Sequence, residues 1–205
     1  SFEFPILEGT VGPSVVDISS FYRQFKMFTY DEGYTSTAPC QSAITYIDGD
    51  LGKLMYRGYD ISYLANEKSF LETAYLLLYK ELPSQKELEE FSLEMRKRSF
   101  IHESLKELFA AFPDNAHPMA ILSAGVSALS TLYFDHLEMK SSHDKREMAD
   151  RIIAKIPTLA ALSYRYSQGL PIIYPDINRG FTENFLYMLR AYPHDYIELK
   201  PIEVK

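Results

Sequence analysis

Pro118-Met-Ala-Ile-Leu-Ser-Ala-Gly-Val-Ser-Ala-Leu-Ser-Thr-Leu-Tyr133 is the stretch whose reading decides the fold class. Proline suits a first helical turn, where its missing N–H has no intrahelical partner to lose, and Met119, Leu122, Val126 and Leu129 recur at helical spacing. Between them stand Ala120, Ser123, Ala124, Gly125, Ser127, Ala128 and Ser130, side chains small enough for another helix to approach closely. A helix over 118–133 buried on more than one side follows. Its small residues suit either core packing or a subunit interface.

Upstream the punctuation is also helical. Ser69 with Glu72 and Ser84 with Glu87 fit the capping box, in which hydroxyl and carboxylate satisfy backbone donors at a helix start. Pro83 separates the two helices, because it has no N–H and holds Leu82 extended. A further helix is expected at about residues 101–112. Downstream, a charged stretch at 140–150 leads into a helix carrying Met148, Ile152, Ile153, Ile156 and Leu159, with a kink expected at Pro157. Pro171, Pro175, Asn178 and Gly180 mark an irregular connector before a last helix near 181–189, and the tail from 192 has no periodic apolar face. The first third differs. Ala43-Ile-Thr-Tyr-Ile47 and Lys53-Leu-Met-Tyr-Arg57 flank Asp48-Gly-Asp-Leu-Gly52, the pattern of a short hairpin. The expected architecture is mainly α, with an N-terminal segment (1–68) holding the hairpin and a helical part (69–205).

Composition narrows the function. A 46% hydrophobic content supplies a packed core, so the chain is globular rather than disordered. A net charge of -7, with basic residues scattered among acidic ones, argues against a nucleic-acid partner. The apolar runs are broken by Ser and Gly and no basic-then-apolar leader opens the chain, so a soluble protein without a membrane partner is expected. Cys40, the one cysteine, cannot form an internal disulfide and fits a reducing compartment.

Chemical motifs are sparse. His102, His117, His136, His143 and His194 lack metal-ligand spacing, so no metal is expected. His117, just before Pro118, reads as a helix-entrance residue bonded to loop backbone or, alternatively, as a ligand contact; His102 reads the same way. No nucleophile elbow, phosphate loop or Gly-x-Gly-x-x-Gly segment appears, and Cys40 has no neighbouring His or Lys to activate it. Arg96, Lys97 and Arg98 end one helix, and Arg151 and Lys155 lie one turn apart on another. These cations are either solvated helix faces or an anion site. The residues alone also allow a non-catalytic helical interaction domain.

Arg98-Ser-Phe-Ile-His102, Ala111-Phe-Pro-Asp-Asn-Ala-His-Pro-Met119 and Ala154-Lys-Ile-Pro-Thr-Leu-Ala-Ala161 resemble segments of the large domain of bacterial citrate synthase. The resemblance extends through Tyr30-Asp-Glu-Gly-Tyr-Thr-Ser-Thr-Ala38, Ile47-Asp-Gly49, Tyr56-Arg-Gly-Tyr-Asp60, Tyr174-Pro-Asp176 and Glu183-Asn-Phe-Leu186. It implies a large helical domain in a cytoplasmic acyltransferase of the tricarboxylic acid cycle. That enzyme condenses acetyl-CoA with oxaloacetate to citrate and CoA, without a cofactor, as a homodimer or hexamer. Methylcitrate synthase shares the pattern and is the alternative. In the family a carboxylate deprotonates the acetyl methyl while one histidine stabilises the enol and another polarises the ketone, chemistry that needs a base poised near neutral pH. Those groups lie beyond Lys205 in the family pattern, so no catalytic residue is assigned and the chain by itself is expected to be inactive. In NADH-inhibited members a basic-His segment before an Ile-His pair, a Tyr in the next helix, and an Arg and Lys one turn apart form an allosteric nucleotide site. Tyr133, Arg151 and Lys155 match it, whereas Lys97, Arg98 and Ile177 stand where those enzymes have Arg, His and Asn. The resemblance thus implies a nucleotide site of Lys97, Arg98, Tyr133, Arg151 and Lys155, with NADH as the regulator.

Overall fold

The computed structural model describes residues 2–133, 141–194, 197 and 199–204. His136 and the first residue of the charged stretch, Lys140, lie outside the described residues. The chain divides into two compact units, Ser1–Lys68 and Ser69–Lys205.

In the first unit β1 (Ile6–Leu7) pairs antiparallel with β2 (Val15–Val16), followed by the short helix α1 (Phe21–Phe25). None of these was legible in the sequence, because a two-residue strand is too short to show alternation. The expected hairpin forms from β3 (Thr45–Asp48) and β4 (Lys53–Tyr56), in the register Ile47↔Leu54. Its turn needs Gly52 at φ +63, and the Asp48 carboxylate accepts from Leu51 N–H at 2.9 Å. A third strand, β5 (Tyr59–Asp60), extends the sheet. Asp60 then caps α2 (Ile61–Glu67), accepting from Ser62 N–H.

The second unit is helical. Both predicted capping boxes are present, Ser69/Glu72 opening α3 (Phe70–Tyr79) and Ser84/Glu87 opening α4 (Gln85–Arg98). The next helix, α5 (Ser104–Ala110), is shorter than 101–112. At its start Ser104 N–H donates to His102 Nδ1, and at its end Phe112 N–H donates to Phe109 O in a tightened turn before Pro113. Then come α6 (Pro118–Leu132), α7 (Ser142–Ser167), α8 (Phe181–Arg190) and a single turn, α9 (Pro201–Val204), in the tail that showed no periodic face. α7 runs unbroken through Pro157, whose ring leaves the Ile153 carbonyl without its intrahelical donor but does not end the helix.

α7 is the axis of this unit. Its residues Ala154, Lys155, Thr158, Leu159, Ala161, Leu162, Ser163 and Arg165 are all buried, because α4, α5, α6 and α8 pack around it. One core cluster joins Leu105, Phe109, Ile121, Leu129, Leu159 and Leu162 across α5, α6 and α7. A second joins Leu71, Phe91, Met95 and Ala154 across α3, α4 and α7. The α6 stripe divides between two faces. Gly125 is buried with space for no Cβ, which would lie 2.7 Å from Phe109 Cζ, whereas Ser123, Ser127 and Ser130 are exposed. Gly125 therefore serves core packing.

Candidate functional site

The basic residues singled out in the sequence meet where α4 ends against α7. Arg96, Lys97 and Arg98 fill the last turn of α4, where cations complement the negative end of the helix dipole. Ser99 stops the helix, its hydroxyl and its N–H both donating to Arg96 O. The carbonyls that follow are taken up by side chains of α7. The Lys155 ammonium donates to Arg98 O at 2.8 Å and to Phe100 O, and the Thr158 hydroxyl donates to Ser99 O at 2.7 Å. Both α7 residues are buried, so each donation satisfies a polar side-chain group held away from water. Lys155 thus clamps the 98–100 corner.

Tyr133, just past the end of α6, lies beside the same turn of α7. The Arg151 guanidinium sits 5.2 Å from its ring centroid and Lys155 Nζ 5.7 Å, both within cation–π range. Arg151 Nη2 donates to Glu147 Oε1 at 2.7 Å, one turn earlier on α7. Arg98 Nη1 lies 3.8 Å from that same oxygen, while its Nε pairs with Glu94 at 3.3 Å. Arg98, Tyr133, Arg151 and Lys155 are therefore brought together. Lys97 is half exposed and pairs at 3.1 Å with Glu94 Oε1, on the carboxylate whose other oxygen takes Arg98 Nε. Ile177 belongs to a loop adjoining α4, where Arg96 Nη1 reaches the Ile177 carbonyl.

Next to this cluster Tyr79, Arg98, His143, Arg146, Glu147 and Asp150 line a pocket of about 410 Å³. Tyr79 donates its hydroxyl to Asp150 Oδ2 at 2.9 Å, tying α3 to α7. Burial first, then this bond to a carboxylate, pushes the Tyr79 phenol up to about 12. Burial also raises the Asp150 carboxyl above its ordinary range. Tyr79, Glu147, Asp150 and Thr158 were missed in the sequence, although Glu147 four residues before Arg151 was a readable pairing signal.

His117 and His102 take up backbone duties. His117 Nδ1 accepts from Met119 N–H at 3.2 Å and caps α6. His102 Nδ1 accepts from Ser104 N–H at 3.1 Å. Among the described residues no group of three or more His, Cys, Asp or Glu is placed to hold a metal ion, and no helix is long and apolar enough to cross a membrane.

A family model described as "Citrate synthase, C-terminal domain" matches residues 33–204, most of the chain. The chain belongs to the citrate synthase family. It is 51% identical over 213 aligned positions to the citrate synthase of Helicobacter pylori (strain J99), covering all of this chain and 50% of that protein. The chain thus spans about half the length of the curated relative it matches. Among solved structures, the citrate synthase of Thermotoga maritima MSB8 is 34% identical at a TM-score of 0.67, over 78% of this chain and 41% of that one. The Pyrobaculum aerophilum citrate synthase is 29% identical at a TM-score of 0.71, over 95% of this chain and 46% of that one. The mainly helical architecture expected from the sequence is the large helical domain of citrate synthases.

Proposed function

We propose that the full-length protein containing this chain is a citrate synthase that condenses acetyl-CoA with oxaloacetate to give citrate and CoA, the carbon-entry step of the tricarboxylic acid cycle in the cytoplasm. The observation that carries this reading is 51% identity to a citrate synthase along the whole of the chain. Residues 1–205 serve as scaffold, and the reacting carboxylate and histidines come from the other half of the protein. The small exposed residues of α6, Ser123, Ser127 and Ser130, support a close contact between two subunits. A thiol-release assay tests the division of labour. The full-length protein is expected to release CoA from acetyl-CoA only when oxaloacetate is present, and residues 1–205 alone are expected to release none. Turnover by residues 1–205 comparable to the full-length protein would refute it.

The convergence of Arg98, Tyr133, Arg151 and Lys155 supports a regulatory nucleotide site at the α4–α7 corner. NADH is its proposed occupant, held through the diphosphate. Binding is weak and salt-sensitive, because Lys97 stands where NADH-regulated enzymes have Arg, Arg98 where they have His, and Ile177 brings no polar side chain to the site. Titrating NADH against the full-length protein at low and moderate ionic strength tests this. Tight binding that salt leaves unchanged would overturn it.

A further inference from the structure

A diphosphate needs cations with N–H groups to give, and at the α4–α7 corner most are committed. Lys155 is buried and its ammonium already serves Arg98 O and Phe100 O. Arg151 lies against the Tyr133 ring and gives Nη2 to Glu147 at 2.7 Å. Arg98 gives Nε to Glu94, and its buried Nη1 has no hydrogen-bond partner, standing 3.8 Å from Glu147 Oε1. One carboxylate oxygen of Glu147 therefore lies between two guanidinium groups from different helices, where an oxyanion would bridge them. The neighbouring Asp150 accepts from Tyr79 at Oδ2 and keeps a buried Oδ1 without a hydrogen-bond partner, but it is Glu147 Oε1 that stands within ion-pair distance of both guanidinium groups.

We propose that the Glu147 carboxylate is a built-in occupant of the anion position between Arg98 and Arg151, so that a nucleotide diphosphate binds there only by displacing it. The proposal rests on the reading of this corner as a nucleotide site and names what restrains it. Displacement has a geometric incentive. At 3.8 Å the carboxylate leaves Arg98 Nη1 unsatisfied, whereas a tetrahedral phosphate presents more oxygens to the same pair. It also has an electrostatic cost, because the displaced carboxylate stays on the same helix turn as the incoming anion.

The test is calorimetric titration of the full-length protein with NADH and, separately, with inorganic pyrophosphate, for wild type, Glu147→Gln, Glu90→Gln and Glu147→Gln/Arg151→Ala. Glu90, exposed and paired only loosely with Lys86 at 3.8 Å, controls for the change in net charge. Both probes are expected to bind Glu147→Gln about tenfold more tightly than wild type, since two part-buried ion pairs no longer compete. Glu90→Gln should bind as wild type does, and the added Arg151→Ala should abolish the gain. Wild-type affinity for NADH in Glu147→Gln would overturn the proposal while leaving the nucleotide site standing. A gain that survives Arg151→Ala, or that Glu90→Gln reproduces, would overturn it too. If no variant binds either probe at millimolar concentration, the nucleotide site itself falls and the proposal with it. Circular dichroism of each variant at the titration temperature verifies that the helices are intact.

Discussion

Replacing Arg165 by Met should loosen α8 more than any other single change on α7. Arg165 is 1% exposed, and its guanidinium is held by carbonyls: Nε donates to Pro171 O, and Nη1 donates to Met188 O at 3.3 Å and Leu189 O at 3.1 Å. Met188 and Leu189 lie in the last turn of α8, where carbonyls have no intrahelical donor. The negative end of that helix is thus the counter-charge of a buried cation. Burial lowers its proton affinity, yet a guanidinium stays charged at any working pH. Each charge-assisted bond contributes about 1.5–3 kcal/mol, with the two longer ones at the low end, so the three together contribute roughly 4.5–6 kcal/mol. Removing the buried guanidinium, whose Nη2 has no partner, returns part of this and leaves a net cost of roughly 3–5 kcal/mol. Methionine fills similar length but leaves the carbonyls buried and unpaired. Amide exchange followed by mass spectrometry on the full-length protein is the assay. Exchange across 181–191 should accelerate by roughly two orders of magnitude, the equivalent of about 3 kcal/mol of local opening. Arg165→Lys should fall between, because a single ammonium cannot fork to both helix carbonyls and Pro171. The effect should be constant between pH 5 and 8, since carbonyl acceptors do not titrate. Exchange within threefold of wild type in Arg165→Met would refute the assignment of Arg165 as the cap of α8.

Gly125→Ala should destabilise the protein by about 1 kcal/mol: overpacking against the fully buried Phe109 costs about 1–3, and the gain in helix propensity returns about 1. Thermal unfolding checks it, and a melting temperature at or above wild type would count against the close packing. The Asp31 carboxyl is held down from an ordinary 3.8 to about 2, first by the Thr35 hydroxyl, then by the Ser36 N–H and the Thr37 side chain. Its folded-state value lies below the unfolded one, so its contribution to loop order is complete above about pH 4 and is lost as the pH falls toward 2. A carboxyl-carbon NMR titration of Asp31 should show a midpoint near 2, and one near 3.8 would sink the argument.

The sequence by itself determined the elements whose signals are local. The capping boxes at Ser69 and Ser84 fixed two helix starts because hydroxyl, carboxylate and backbone donor all lie within three residues. Alternation on either side of Asp48-Gly49 similarly placed the hairpin, and His117 beside Pro118 announced a helix entrance. Motif resemblance named the family, which the comparisons then bore out. What the sequence left open, or read differently, depended on direction rather than identity. Gly125 suited a core or an interface equally well until the Phe109 ring was seen to close over it. Lys155 matched a phosphate ligand by position, but its ammonium turns to carbonyls 55 and 57 residues away in sequence. Arg98 and Arg151 were read as cations on two different helices, joined only by the nucleotide site that the resemblance implies, and the packing of α4 on α7 set one carboxylate, Glu147, between them. Local hydrogen-bond and steric rules act over three or four residues and are written in the chain. The partners of a buried charge are chosen when distant helices pack and exclude water, and that choice belongs to the tertiary structure.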